Sequence, residues 1–188
     1  SKGVLDYIMS LQNSGYDVHC IRGNHEDYCI RAWEEDQKRF LFRSPVEKDW
    51  RNNGANKTLE SFGVKRPREI NKFYIDWMKK TAHYIELENY ILVHAGLNFT
   101  VDNPYEDKRS MMWVRAFKVD KAKTGGKIIL HGHVPVEMSR IDLFCNNNYD
   151  FLSLDNGVYY KHKEGFGNLL AFNLDTKEII IQPNIDIE

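Results

Sequence analysis

The chain has 188 residues, of which 42% are hydrophobic and 13% aromatic, and this composition is typical of a globular protein rather than a disordered one. Its formal net charge of -1 gives no electrostatic reason to expect binding to nucleic acid or to an anionic membrane. The three cysteines lack CxxC spacing, which argues against a disulfide framework, and no apolar run approaches the roughly 18 residues of a membrane span. We therefore expect a cytoplasmic protein.

The first half of the chain is predicted to be mostly helical, from the spacing of its apolar residues and the positions of Gly and Pro. The predicted elements are a helix over residues 3–14, a strand over Asp17–Ile21, a helix over residues 26–42, an irregular insertion at about 45–66 with a short helix at Asn56–Phe62, and a helix from Pro67 to about Thr81. We expect the insertion to interrupt a single domain that spans residues 1–188.

The second half of the chain is predicted to be rich in strands. The elements are two strands joined as a hairpin, His83–Leu87 and Tyr90–His94, a helix over residues 105–117, a strand at Lys127–Leu130, and four later strands at Val136–Phe144, Phe151–Leu154, Leu169–Leu174 and Ile179–Gln182. Because helices come early and strands late, we expect mixed sheets rather than purely parallel ones.

Three polar segments follow short apolar runs, each beside a glycine. They are Gly23-Asn24-His25-Glu26, His94-Ala95-Gly96 and His131-Gly132-His133. A buried strand that ends in this way places its next side chain at the rim of a sheet, where α/β proteins build their sites. Imidazole and amide donors together suit Mn²⁺, Fe or Zn²⁺ better than Ca²⁺. One such histidine is more often a hydrogen-bonded rim residue than a ligand, but three motifs together favour a shared site.

These motifs resemble those of a known family, the calcineurin-like metallophosphoesterases. The resemblance lies in Arg22-Gly23-Asn24-His25-Glu26, Val93-His94-Ala95-Gly96-Leu97 and His131-Gly132-His133-Val134-Pro135. It is closest to the serine/threonine phosphoprotein phosphatase branch and its bacterial members. Further segments are similar to those bacterial enzymes: Asn52-Asn53-Gly54, Thr58-Leu59, Ser61-Phe62-Gly63 and Trp113-Val114-Arg115.

The resemblance implies an α/β fold, a calcineurin-like β-sandwich of two mixed sheets flanked by helices in four αββα layers. Two motifs of the family, Gly-Asp-x-His-Gly and Gly-Asp-x-x-Asp-Arg-Gly, do not occur in these residues. Ser1-Lys2-Gly3-Val4-Leu5 resembles the segment that directly follows the second of them. We therefore expect the first β-α-β unit of the fold to be missing and the chain alone to be inactive.

The resemblance also assigns roles to individual residues. It implies three metal ligands, Asn24, His94 and His133. It makes His25 the general acid that protonates the leaving oxygen, and it makes Arg115 the residue that binds the substrate phosphate. Structural roles are expected for three neighbouring residues, His131, Glu26 and Arg22, the last of them through a salt bridge.

The implied reaction is hydrolysis of phosphomonoesters with two divalent metals, Mn²⁺ or alternatively Fe or Zn²⁺. In the implied reaction, a hydroxide that bridges the metals would attack phosphorus while His25 protonates the departing alkoxide. The expected substrate is phosphoserine or phosphothreonine in a protein, or a small phosphoester. One alternative is a symmetrical dinucleoside tetraphosphatase. Another is a non-catalytic phosphoprotein-binding module. The presence of His25 and Arg115 argues against it, because a binding module has no need of a general acid.

Overall fold

The computed structural model describes residues 2–38, 42–146 and 149–185 of the chain. It divides into two units, and the boundary lies between Ala82 and His83. Helices and two sheets are present, so the α/β class is confirmed. None of the helices in the described residues is long and apolar enough to cross a membrane. The single domain over all 188 residues stays a prediction.

The first unit is built from helices. They are α1 at Lys2–Asn13, α2 at Asn24–Gln37, α3 at Pro45–Asn52, α4 at Ala55–Ser61, a short 3-10 helix at Pro67–Glu69, and α5 at Lys72–Lys80. Their apolar faces share a core that includes the buried side chains of Trp50, Leu59, Ile70 and Ile75. The helix expected from Pro67 is divided because Asn71 accepts a hydrogen bond from the Phe73 N–H and so caps a new helix.

Helices α3 and α4 occupy most of residues 45–66, so the prediction of an irregular insertion is wrong for most of this segment. Ser44 is the N-cap of α3, because its hydroxyl accepts a hydrogen bond from the Glu47 N–H at 3.0 Å. Pro45 then occupies the first helical position, where its missing N–H costs nothing. The short helix expected at residues 56–62 corresponds to α4.

The strand predicted at Asp17–Ile21 does not form within the described residues. Only one isolated bridge, between Ile21 and Ala82, occurs there. Two hydrogen bonds support it, Arg22 N–H to the Ala82 carbonyl at 2.7 Å and Ala82 N–H to the Cys20 carbonyl at 3.1 Å. The apolar run is therefore extended, but it lacks the continuous partner that a strand requires.

The second unit contains both sheets. The larger sheet has the order β1 (Tyr84–Glu86), β2 (Tyr90–Val93), β3 (Ile128–His131) and β4 (Phe151–Ser153). β1 is antiparallel to β2, whereas β2, β3 and β4 are parallel, so this sheet is mixed as predicted. The smaller sheet pairs β5 (Asn168–Phe172) with β6 (Ile179–Pro183) in antiparallel fashion. The helices of this unit are α6 at Lys108–Trp113, α7 at Lys121–Thr124 and α8 at Met138–Asn146.

Apolar side chains cover both faces of the larger sheet. Ile91, Val93 and Ile129 share a core with Met111 of α6. The alternate residues Leu130 and Leu152 belong to another core, which includes side chains of α8 and of the smaller sheet. Because successive side chains of a strand point to opposite faces, burial on both faces explains why these strands are continuous apolar runs.

The segment predicted as a strand at Val136–Phe144 is largely helical, since α8 starts at Met138. Met138, Ile141 and Phe144 recur every three residues and pack into one core. That spacing fits a helix and not the two-residue alternation of a strand.

We predict that Ile141→Ala lowers the free energy of unfolding by about 2–4 kcal/mol, because Ile141 is fully buried. Leu143 is the matched control, since it lies on the same helix and is 56% exposed. Leu143→Ala should cost less than about 0.5 kcal/mol in urea denaturation. On a strand the side chains of Ile141 and Leu143 would share a face. Equal losses of unfolding free energy in the two variants would therefore contradict the helix.

Candidate functional site

The segment Gly23-Asn24-His25-Glu26 forms the start of α2. Gly23 is the N-cap residue, and its N–H donates to the Glu26 carboxylate at 2.9 Å. This contact supports the structural role expected for Glu26. Asn24 is buried, with 7% of its surface exposed, whereas His25 is exposed. The first turn of the helix thus places an amide inside the unit and an imidazole at its surface.

Arg22 has a structural role, but among the described residues it forms hydrogen bonds to backbone carbonyls instead of the expected salt bridge. Its guanidinium donates to the carbonyl oxygen of Met78 at 3.1 Å and to that of Lys79. These carbonyls lie in the last turn of α5, where the N–H partners of the helix interior are missing, and the Met78 carbonyl also accepts the Thr81 N–H at 3.2 Å. Arg22 therefore connects the segment Gly23-Asn24-His25-Glu26 to the end of α5.

A cavity of about 440 Å³ adjoins His25 within the first unit. Its lining is mainly apolar and includes Ile8, Trp50 and Trp77, with Glu26 beside His25. A space of this size, with few polar groups, is in the range that small ligands occupy.

His94 and His133 meet at one edge of the larger sheet. Because β2 and β3 are parallel, with Leu92 beside Leu130, both strands end at the same edge. His94 directly follows β2, and its carbonyl accepts the Gly132 N–H at 2.8 Å. The imidazole atoms His94 Nε2 and His133 Nδ1 are 3.1 Å apart.

This separation suits two neighbouring ligands of a single cation. Imidazole nitrogens at about 2.0–2.1 Å from an ion, at angles of roughly 90–110°, lie about 2.9–3.4 Å from each other. His133 has a φ of 71°, which is rare for a residue other than glycine and is typical of functional sites. In the described ranges, no group of three or more His, Cys, Asp or Glu side chains is arranged to hold a metal ion. The pair thus offers two imidazole nitrogens as ligands.

Helix α6 supports this edge and leads to Arg115. The Ala95 N–H donates to the Met111 carbonyl at 2.8 Å, so the residue after His94 is attached to α6. The Trp113 ring lies 6.3 Å from the His133 ring in an edge-to-face arrangement. Arg115 follows two residues later and is exposed.

The five predicted site residues therefore occur in both units. His94 and His133 are in direct contact, Asn24 and His25 are neighbours at the start of α2, and Arg115 is in the segment after α6. The three assigned ligands and the two other roles stay predictions.

His131 is packed between aromatic rings. Its ring centroid is 5.2 Å from that of Phe117 and 5.7 Å from that of Phe151. Burial lowers the pKa of His131, so the neutral imidazole is favoured. These surroundings support the structural role expected for it.

Sequence reasoning missed Asp155-Asn156-Gly157, which follows β4 at the same edge. Asn156 is buried, and its amide nitrogen donates to the Val136 carbonyl at 3.1 Å and to the Gly165 carbonyl at 2.8 Å. Its amide oxygen accepts the Asn168 N–H at 3.1 Å. The signal was present, since an apolar run again ends at polar residues beside a glycine.

Comparison with known proteins agrees with this architecture. Residues 1–163 match the family model of the calcineurin-like phosphoesterases. The chain belongs to this family. No curated protein and no solved structure gives a significant match. Calcineurin-like phosphoesterases are hydrolases that cleave phosphoesters with the help of metal ions, generally two divalent ones.

We predict that Gly96→Ala destabilises the protein by about 2–4 kcal/mol, through backbone strain and overpacking together. Gly96 has a φ of +147°, and an added Cβ would lie 2.2 Å from Cε1 of Phe117. Gly126 is the matched control, because its φ is +80° but a Cβ there meets nothing within 4 Å. Gly126→Ala should cost about 1–2 kcal/mol. If chemical denaturation gave equal losses of unfolding free energy for Gly96→Ala and Gly126→Ala, close packing at Gly96 would be unimportant.

Proposed function

We propose that this chain carries part of the active site of a metal-dependent phosphatase that acts on phosphoserine or phosphothreonine in proteins. The main support is the 3.1 Å contact between His94 and His133 in a calcineurin-like phosphoesterase. Both imidazoles lie in turns that follow two adjacent parallel strands, so the pairing of these strands brings the two turns together.

The proposed ligands are neutral. His94 Nε2, His133 Nδ1 and the Asn24 amide oxygen would hold a divalent ion, with Mn²⁺ as our first choice and Fe or Zn²⁺ as alternatives. When bound, such ions activate water and neutralise phosphoryl oxygens. The hydrogen bond from Gly132 to the His94 carbonyl holds the two ligand-bearing turns together.

His25 and Arg115 supply the remaining chemistry in this proposal. His25 is next to Asn24 but exposed, so its ring can donate a proton to the leaving oxygen. Arg115 is exposed, and its planar guanidinium can bind two phosphate oxygens at once.

Turnover by these 188 residues alone is proposed to be close to background. Neither aspartate motif of the family occurs among them, so the site lacks the carboxylates that those motifs supply. Because affinity for a dication rises with ligand charge and number, two imidazoles and one amide should bind it weakly.

The test compares hydrolysis of p-nitrophenyl phosphate, a phosphoserine peptide and a dinucleoside tetraphosphate, each with Mn²⁺. An enzyme that contains both aspartate motifs upstream of Ser1 should hydrolyse the peptide best. Faster hydrolysis of the dinucleotide would overturn the substrate assignment. Strong metal-dependent turnover by the 188 residues alone would overturn the proposed need for the aspartate motifs.

In the enzyme with both motifs, we predict that His25→Asn lowers kcat by about 10²–10⁴-fold, because the leaving oxygen loses its proton donor. Metal content, measured by atomic emission, should stay unchanged. Loss of bound metal would identify His25 as a ligand instead of an acid.

In the same enzyme, we predict that Arg115→Ala mainly raises KM and weakens inhibition by inorganic phosphate, since the phosphate loses a bidentate partner. Arg109→Ala is the matched control, because Arg109 is also exposed and lies on α6. Steady-state kinetics of the two variants check this. Similar effects of both would indicate a general loss of positive charge rather than a specific contact.

A further inference from the structure

Two tyrosines with adjoining, tilted rings are exposed in the segment that follows β4. Tyr159 is 63% exposed and Tyr160 is 38% exposed. Their ring centroids are 4.2 Å apart, with an angle of 45° between the planes. Adjacent residues of a chain seldom place their rings together, so this arrangement requires a specific backbone.

The surrounding segment holds Tyr160 in place. Its N–H donates to the Gly157 carbonyl at 2.8 Å. Its ring packs edge-to-face against Phe166, with 5.7 Å between centroids, and the Lys163 ammonium lies 3.8 Å from the Phe166 centroid. Tyr160 is therefore a fixed support against which the more exposed Tyr159 ring rests.

The tyrosine pair lies beside the turn that carries His133. A Cβ added to Gly157, whose φ is +61°, would be 2.7 Å from the Tyr160 ring and 3.1 Å from Cβ of Pro135. Gly157 is thus enclosed by Tyr160 and by a residue only two positions after His133. The hydrogen bond from Asn156 to the Val136 carbonyl joins the same two segments.

Arg115 is near enough to Tyr159 for its charge to affect the phenol, and it follows Trp113, whose ring lies 6.3 Å from that of His133. A hydrogen bond with Tyr160, followed by burial, raises the pKa of Tyr159 to about 12, and the positive charge of Arg115 acts in the opposite direction. The Tyr159 ring is therefore a neutral phenol near the proposed phosphate-binding guanidinium.

We propose that Tyr159 binds a planar ring of the substrate beside the phosphate held by Arg115. The inference rests on the proposed function, because Arg115 must bind the phosphate. An exposed, pre-positioned aromatic face favours stacking with another ring. That ring belongs either to an aromatic side chain next to the phosphorylated residue or to a nucleobase.

The experiment measures binding of phenyl phosphate and methyl phosphate to the 188-residue chain by titration calorimetry without added metal, because the inference requires only Arg115 and Tyr159. Phenyl phosphate should bind about 3–10-fold more tightly. Tyr159→Ala should reduce this ratio to about 1, and Tyr159→Phe should preserve it because the ring remains. Tyr16→Ala is the matched control, since Tyr16 is 65% exposed, and it should also preserve the ratio.

Two further pairs of probes distinguish the source of the ring. AMP is compared with ribose 5-phosphate, and a phosphoserine peptide with a neighbouring Phe is compared with one that has Ala there. A preference that depends on Tyr159 in either pair supports the inference and identifies the ring.

Three outcomes separate the inference from the proposed function. A ring preference that is unchanged in Tyr159→Ala overturns the inference alone, provided that Arg115→Ala weakens binding of methyl phosphate. Methyl phosphate affinity that is unchanged in Arg115→Ala overturns the role of Arg115 and the inference with it. Absence of measurable binding by both esters also overturns both.

Discussion

The site depends on the parallel pairing of β2 with β3. This register places Leu92 beside Leu130, so both strands end at the same edge and the residues that follow them meet. A slip by one residue would turn every side chain of a strand to the opposite face. Both faces of this sheet are buried against apolar cores. Such a slip would move apolar side chains of the strand out of the core in which each of them packs. Core packing therefore enforces the 3.1 Å contact between His94 and His133.

The part of the fold that could be predicted from sequence is the part determined by local patterns. The two strands that precede the histidines are short, apolar and next to glycine, and these signals suffice. The predictions failed where one sequence pattern is compatible with two different structures. Ser44-Pro45 can follow one helix or begin another, and the apolar residues of 136–144 fit a strand by eye but a helix by their spacing of three. Asp17–Ile21 failed for another reason, because strand formation requires a partner that a local pattern does not reveal.

The site was predictable to a similar extent. Strand ends indicated which histidines should lie at the sheet edge, and glycine contexts separated them from scattered ones such as His162. The left-handed backbone of His133 and the packing of Phe117 against Gly96 were not predictable, because each depends on contacts between segments far apart in sequence. The tyrosine pair belongs to the same class, since Gly157 beside Tyr160 is also enclosed by Pro135 of a distant segment.

The buried amide of Asn156 holds both ends of the segment that carries the tyrosines. One side chain bonds to Val136 before this segment and to Gly165 and Asn168 after it. We therefore expect that residues 158–164, apart from Tyr160, which packs at Gly157 beside Pro135, tolerate changes in sequence without moving the turn at His133. Such an arrangement separates the part of the protein that must stay constant for chemistry from the part that can vary for recognition. New specificities could then arise, in evolution or by loop exchange, at little risk to the sheet edge.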